Sequence, residues 1–341
     1  KVIETSIGSI NYDHLVIALG ADTNYFNNRE IEHNAFPMKS MQESLHLRNH
    51  LLECIEKALI CDDEKTREAL MTIVIVGGGP TGTEVAGALS EMRKYVLPKD
   101  YPELDFNKMN ILLLEGGSSL LNGMSETSGL KAKEFLEDMK VAVRLNTIVE
   151  KYDGKTVVTK NGECIDSETL IWAAGVKGNK LNGIPDDLVV GNGRIKVDGY
   201  NQVLGIDNVY AIGDIAFMQE GKFQKGHPQV AQVAIQQADR LAKNLKLKIQ
   251  NKPLTIFTYK DLGSMATVGR NRAVVDLKHF SFQGFFAWAF WLFVHLMAIL
   301  GVKNKLFIFM EWMWNYITFD QSLRLVIKQK PDTKISDRAS E

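Results

Sequence analysis

Short apolar runs ended by glycine alternate along the chain with longer stretches of helical periodicity, a pattern that predicts layered α/β structure. Val2–Thr5 reads as a strand with a turn at Gly8-Ser9, and Leu15–Leu19, stopped by Gly20, reads as a buried strand. Met41–Ile60 is periodic, with Leu45, Leu52, Ile55 and Leu59 on one face and Ser40 placed to cap it. Met71–Val76 is a second apolar strand, separated by a glycine turn from a helix expected over Pro80–Tyr95. Leu97–Lys108, with two prolines and several acids, reads as a loop before the strand Asn110–Glu115. A helix is expected at Leu130–Met139, then short strands at Ala142–Leu145, Thr156–Thr159 and Leu170–Ala173. Gly191–Val203 reads as extended and leads to Val209–Asp214, after which Pro228 is expected to start a helix running to Leu245.

The pattern changes near the C-terminus. Phe285–Leu300 is a run of sixteen residues in which His295 is the only polar one. As a helix it would span about 24 Å, short of the ~30 Å hydrocarbon thickness of a bilayer. Leu306–Phe319 is a second apolar-aromatic stretch, with Asn304, Glu311, Asn315 and Thr318 recurring at helical spacing as a narrow polar stripe. Trp288, Trp291, Trp312 and Trp314 crowd this region, and Lys303-Asn304-Lys305 lies between the two runs. Tryptophan and lysine at these places suit a monotopic anchor lying in one leaflet. A buried dimer interface or core uses the same residues, so both readings stand. Lys328–Glu341 reads as a disordered tail.

Composition narrows the classes. Of 341 residues, 45% are hydrophobic, enough for a sizeable core, which excludes a disordered chain. The length suggests about two domains. Lys+Arg 40 against Asp+Glu 41 gives a net charge of −1, so no global field draws the chain to nucleic acid. Three cysteines, Cys54, Cys61 and Cys164, form no zinc-ligand spacing and no disulfide framework, which fits a reducing compartment. Cys54 and Cys61 fall on different faces of one helix and read as structural rather than as a redox pair. His46 and His50 have i,i+4 spacing but no further ligands, and read as solvated.

Gly77-Gly78-Gly79-Pro80-Thr81-Gly82 follows a strand and opens a helix, the context that gives G-x-G-x-x-G its mechanism. Gly77 permits the tight turn, Gly79 admits a pyrophosphate to the backbone, and Gly82 lets helix pack closely on sheet. Pro80 and Thr81 complete the turn, and the helix N-terminus holds the anion. Glu115, ending the next strand, is placed to accept hydrogen bonds from adenosine ribose hydroxyls and to repel a 2′-phosphate, which favours NADH over NADPH. Its distance from Gly82 exceeds the usual ~20 residues, an excess that Leu97–Lys108 accounts for. Glu84, assigned to the first helical turn, has two readings: complementing the helix dipole, or lying beside the nicotinamide.

Tyr12–Gly20, the Gly77–Glu84 turn, Trp172–Val176 and Tyr210–Asp214 occur in order, and this series resembles the flavoproteins with two dinucleotide-binding domains. Pro228–Gln237, Tyr259–Ala266 and the aromatic C-terminus resemble one family among them, the type II NADH dehydrogenases. The resemblance implies an α/β fold with an NADH-binding Rossmann-like domain inserted in an FAD-binding one, followed by amphipathic membrane-anchor helices. It divides the chain into 1–35 and 185–255 (FAD-binding), 40–180 (NADH-binding), 256–330 (flavin and quinone side with the anchor) and a disordered 331–341. It implies that Gly20, Gly213, Asp214, Val230 and Ala231 meet FAD, with Asp214 accepting a ribityl hydroxyl, and that Ala174 and Gly175 line the NADH side. Gln232 and Gln236 share a helical face; they are either quinone-carbonyl donors or two amides on a solvated face. Lys260 is either a stabiliser of reduced flavin or quinone oxygen, or an ordinary surface lysine. The family's own FAD glycine turn does not precede Tyr12, so the chain is expected to be truncated within the FAD domain and its own hold on FAD is open.

The implied activity is NADH oxidation by hydride transfer to FAD and reduction of a membrane quinone to quinol without proton pumping. The implied setting is the cytoplasmic face of a bacterial inner membrane, with a lipid surface as partner and a homodimer allowed. Two other readings stay open: a soluble NADH-dependent flavin reductase with another acceptor, and a non-catalytic membrane-attached NADH-binding module.

Overall fold

The computed structural model describes residues 1–299 and 301–318; Leu300, Phe319 and the expected disordered tail 331–341 lie outside the described residues. The chain forms two compact units, one of Lys1–Phe26 with Gly175–Leu262, the other of Asn27–Ala174 continuing from Gly263.

The larger unit is built on a five-stranded parallel sheet in the order Phe36–Pro37, Thr169–Trp172, Thr72–Val76, Asn110–Leu114, Ala142–Arg144. Every residue of the central strand Thr72–Val76 is buried, which is why it reads as an unbroken apolar run. Val76 is in register with both Leu114 and Trp172, so Gly77, Glu115 and Ala173 emerge together at one edge, the carboxyl ends of the strands. Helix Met41–Ile60 matches the sequence pattern from end to end, because Ser40 and Glu43 form a capping box. Its buried face is Leu47, Leu51, Leu52, Cys54, Ile55 and Ala58, rotated from the expected Leu45–Leu59 stripe.

Other elements differ from the expected ones. The helix after the glycine turn runs Pro80–Glu91, widens to a π turn over Met92–Val96, and resumes as Leu97–Asp100, where a loop was expected. Pro98 has no N–H and its ring crowds the carbonyl four residues back, so the ladder opens before it, while Leu97 is fully buried. The helix expected from Leu130 starts at Glu126, since Ser125 Oγ accepts the Ser128 N–H at 3.2 Å. Val149–Tyr152 and Cys164–Asp166 pair with Thr156–Thr159 as an antiparallel sheet that periodicity alone did not reveal in full.

From Gly263 onward the chain groups with the larger unit, as an antiparallel meander Ser264–Gly269, Arg272–Asp276, Ser281–Gln283 followed by helices Phe285–Ala298 and Val302–Thr318. Ala266, Val268 and Val274 share the main core with Ile73 and Leu113. A Cβ on Gly87 would stand 1.6 Å from Val268 O, so helix and meander meet backbone to backbone. Among the described residues no helix is long and apolar enough to cross a membrane.

The smaller unit pairs Leu15–Ile17 with Val209–Ala211 in parallel, Ala21–Thr23 with Val176–Gly178 antiparallel, and Ile195–Lys196 with Ala216–Phe217 in parallel. Its core gathers Ile17, Ile195, Val203, Val209, Ile215 and Phe257. The helix expected from Pro228 runs Ala231–Ile249, because Val230 remains extended at φ −133° and serves as the cap position.

Candidate functional site

In the larger unit the glycines do three different jobs. Gly77 has φ +109°, and a Cβ there would lie 2.4 Å from Ala173 O; a Cβ on Gly82 would lie 1.8 Å from Gly77 O. The first is required where the turn passes the end of the neighbouring strand, the second by the turn's own backbone. Gly79 meets nothing within 4 Å, and its open space faces a helix start with no side-chain cap. Pro80 stands in the first turn, where its missing N–H costs nothing, and Pro80 and Thr81 are exposed. This is an anion cradle. Glu115 reaches back to it: Oε2 accepts the Gly78 N–H at 2.5 Å and Oε1 the Gly117 N–H at 2.6 Å. Each carboxylate oxygen keeps acceptor capacity for a hydroxyl, so the residues fit an NADH adenosine ribose. Ala174 follows Ala173 at the carboxyl end of the strand Thr169–Trp172 and ends the Asn27–Ala174 stretch of this unit.

Glu84 lies in the second turn, since no acidic residue occupies the first turn of Pro80–Glu91. The dipole reading therefore loses its geometry. Its Oε1 accepts the Thr267 N–H at 3.3 Å. Burial raises its pKa above the ordinary carboxyl value, against the lowering effect of the Thr267 N–H and His295. It borders an apolar pocket of about 900 Å³ with Thr267, Arg270, Trp288, Trp312 and Tyr316. Arg270 shapes the far wall, donating to Tyr316 O at 2.7 Å and Asn315 O at 3.0 Å.

In the smaller unit Gly20 and Gly213 have φ +69° and +71°, and Gly175 opens the return strand at φ +146°. The Gly213 N–H donates to Gln237 Oε1 at 2.7 Å. Gln237, 1% exposed, was not among the expected site residues. The i,i+4 spacing of Val233, Gln237 and Leu241 along the buried helix face was its signal. Asp214 sits in a tight turn, its carbonyl accepting from Gln229 Nε2 at 3.0 Å. Val230, Ala231 and Gln232 form an exposed helix start with no side-chain cap, suited to an anionic or electron-rich edge. Glycines at positive φ beside an uncapped helix start fit part of a flavin site; this chain's strand–glycine turn–helix lies in the other unit.

Gln232 and Gln236 share a face as expected, but their amides do different work. Gln236 grips the backbone of Lys260, its Nε2 donating to Lys260 O at 2.9 Å and its Oε1 accepting the Lys260 N–H at 3.0 Å. Gln232 and the Lys260 side chain are exposed. His50, expected to be solvated, contacts Glu168 O at 2.9 Å, Thr169 Oγ1 at 3.1 Å and Cys54 Sγ at 3.4 Å. Burial lowers its pKa and pushes the Cys54 thiol up to about 11, a protonated and unreactive thiol. The cysteines are free, and among the described residues no cluster of metal-ligating side chains occurs.

Residues 2–238 match the family model of the pyridine nucleotide-disulphide oxidoreductases, and residues 262–318 match that of the NDH2 C-terminal domain. The chain is 34% identical over 317 residues to the type II NADH:quinone oxidoreductase NdhA of Mycobacterium tuberculosis, covering 88% of this chain and 66% of that protein. It is 33% identical to the Ndh protein of the same organism, covering 90% and 67%. The external NADH-ubiquinone oxidoreductase 2 of Saccharomyces cerevisiae mitochondria is 29% identical, with 91% and 63% covered. The chain thus spans about two thirds of the length of these relatives. In fold it is similar to NDH2 from Plasmodium falciparum, solved in complex with NADH, with TM-score 0.83 at 23% identity over 94% of this chain and 80% of that one.

Proposed function

Because the chain belongs to the type II NADH:quinone oxidoreductases, within the pyridine nucleotide-disulphide oxidoreductases, we propose that it takes part in NADH oxidation coupled to reduction of a membrane quinone, with FAD as the carrier. The observation that carries this reading is the Gly77–Gly82 turn with the Glu115 carboxylate fastened to it at the carboxyl ends of two parallel strands. Flavin, when bound, supplies the centre that accepts hydride from NADH and returns electrons to a quinone. The chain's own residues supply geometry and protons. Gly77, Gly79, Pro80, Thr81, Gly82 and Glu115 hold the nucleotide, and Ala174 and Gly175 border it. Gly20, Gly213, Asp214, Val230 and Ala231 hold the flavin side. Gln232, Gln236 and Lys260 furnish the acceptor side, Gln236 by fixing the Lys260 backbone. Glu84, whose carboxyl keeps its proton to higher pH than an exposed one, is a proton source beside an apolar pocket.

The exposed aromatic residues Phe286, Phe293, Phe307 and Trp314 support attachment to a lipid surface, the phase that contains the quinone. The reading further holds the protein monotopic on the cytoplasmic face of a bacterial inner membrane and allows a homodimer. Anaerobic mixing of NADH with the purified protein, followed by a water-soluble quinone analogue, tests the reaction. Flavin bleaching and its recovery on quinone addition are expected. Bleaching without recovery would replace the reading by a flavin reductase with another acceptor, and nucleotide binding without flavin would reduce it to an NADH-binding module.

A further inference from the structure

Behind the helix that starts at Ala231 lies a buried histidine that the reaction as described does not use. His227 is 1% exposed and its ring is enclosed by Phe223, Phe257 and Tyr259, with centroids 4.9, 5.4 and 5.8 Å away. Its Nε2 meets Glu220 Oε2 at 2.8 Å, while Nδ1 is buried and finds no partner among the described residues. A carboxylate only accepts, so the Nε2–H donates to Glu220. The same Glu220 oxygen accepts the Tyr259 N–H at 3.2 Å. One residue on, Lys260 is clasped through its backbone by Gln236 at 3.0 and 2.9 Å. The histidine is itself anchored from behind, since Arg194 Nη2 donates to His227 O at 2.9 Å and its Nε to Ala216 O at 3.0 Å. A Cβ on Gly226, at φ +79°, would stand 3.0 Å from that guanidinium.

We infer that Glu220 and His227 are positioning residues for the acceptor side of the reaction: they hold the Tyr259–Lys260 backbone in the register at which Gln236 grips it. The inference rests on the quinone reading above and adds how that side is held. Two contacts on consecutive residues fix both the position and the direction of the segment, which a single hydrogen bond would leave free to pivot. The Glu220 carboxylate is half-buried, and the imidazole N–H gives it a second donor beside the Tyr259 N–H, fixing the oxygen that holds the segment. Its ring also packs between Phe223 and Phe257, which holds the imidazole in place.

The test uses the whole protein and reads its two half-reactions separately. Glu220→Ala and His227→Leu are expected to raise KM for a water-soluble quinone about tenfold, the size of one lost hydrogen bond to a charged group. The rate of flavin reduction by NADH stays at the wild-type value, and exchange of the Tyr259 amide proton quickens. His227→Gln, which keeps a donor near the Nε2 position, restores both. Glu220→Gln, a milder change that keeps an acceptor for Tyr259, gives an intermediate KM and guards against loss of folding. An unchanged KM and unchanged amide exchange in His227→Leu, or equal slowing of both half-reactions, would overturn the proposal. Absence of quinone reduction in the wild-type protein would sink the functional reading instead, and the Tyr259 exchange in the variants would still decide whether this pair holds the segment.

Discussion

Single atoms decide the two halves of the nucleotide turn. Gly82→Ala must drive a Cβ into the Gly77 carbonyl 1.8 Å away, whereas Gly79→Ala meets nothing within 4 Å. Thermal melts should therefore show Gly82→Ala destabilised by about 2 kcal/mol or more and Gly79→Ala within about 0.5 kcal/mol of wild type. NADH titration should find both weakened at least about tenfold, the first through the fold and the second because a methyl group occupies the phosphate's space. Glu84 carries a pH signature. Its folded pKa is raised above the ordinary carboxyl value by burial, so between the unfolded and folded values the folded state binds more protons than the unfolded chain. Stability contributed by this group is present at low pH and falls as pH rises through the folded pKa. Denaturant melts from pH 4 upward should show that fall in wild type and its disappearance in Glu84→Gln. The glycines were legible in the sequence because each fills a fixed slot of a local motif. The Gln236 clasp on Lys260 was not, because both amides of the face look alike until the extended segment that one of them grips is in place.

Elements with both a periodic face and local punctuation were the legible ones. Met41–Ile60 has Ser40 and Glu43 as a reciprocal cap, which set its start to the residue. Ser40→Ala should cost about 1 kcal/mol, read as a shift of the urea midpoint without change of slope. The helix after the glycine turn lacked such punctuation at its far end: Tyr95 is compatible with continued α-helix, and only the three-dimensional demand of Pro98 and buried Leu97 produces the π turn over Met92–Val96. Pro228 misled in the opposite sense. Proline suits a first helical turn, but the chain stays extended through Val230, leaving Ala231 and Gln232 at an exposed, uncapped start. Helix Val302–Thr318 turns Ile308, Trp312 and Asn315 toward the protein and leaves Phe307, Met310, Trp314 and Ile317 exposed. The expected polar stripe is thus split, with Asn304 and Glu311 exposed and Asn315 half-buried beside Arg270.

At the scale of the molecule, the proposed lipid attachment rests on the exposed aromatics of Phe285–Ala298 and Val302–Thr318. Co-sedimentation with vesicles of zwitterionic lipid containing about one quarter anionic lipid should capture the wild-type protein. Phe286→Ser with Trp314→Ser should lower the bound fraction several-fold while leaving the melting temperature within about 2 °C, since both side chains are exposed. The division into units was legible only in outline. Motif order gives an insertion, but the allegiance of the meander depends on Gly87 and Val268 touching across a long sequence interval, which no local pattern encodes. That interlacing of chain and core shapes how the protein is made. Leu15–Ile17 waits for Val209–Ala211, and the glycine-turn helix waits for Ser264–Gly269. A ribosome releasing the chain in sequence order holds both cores unfinished until the segments through Gly269 emerge. Chaperone demand and susceptibility to proteases during synthesis are therefore concentrated in the interval before Ser264 leaves the exit tunnel.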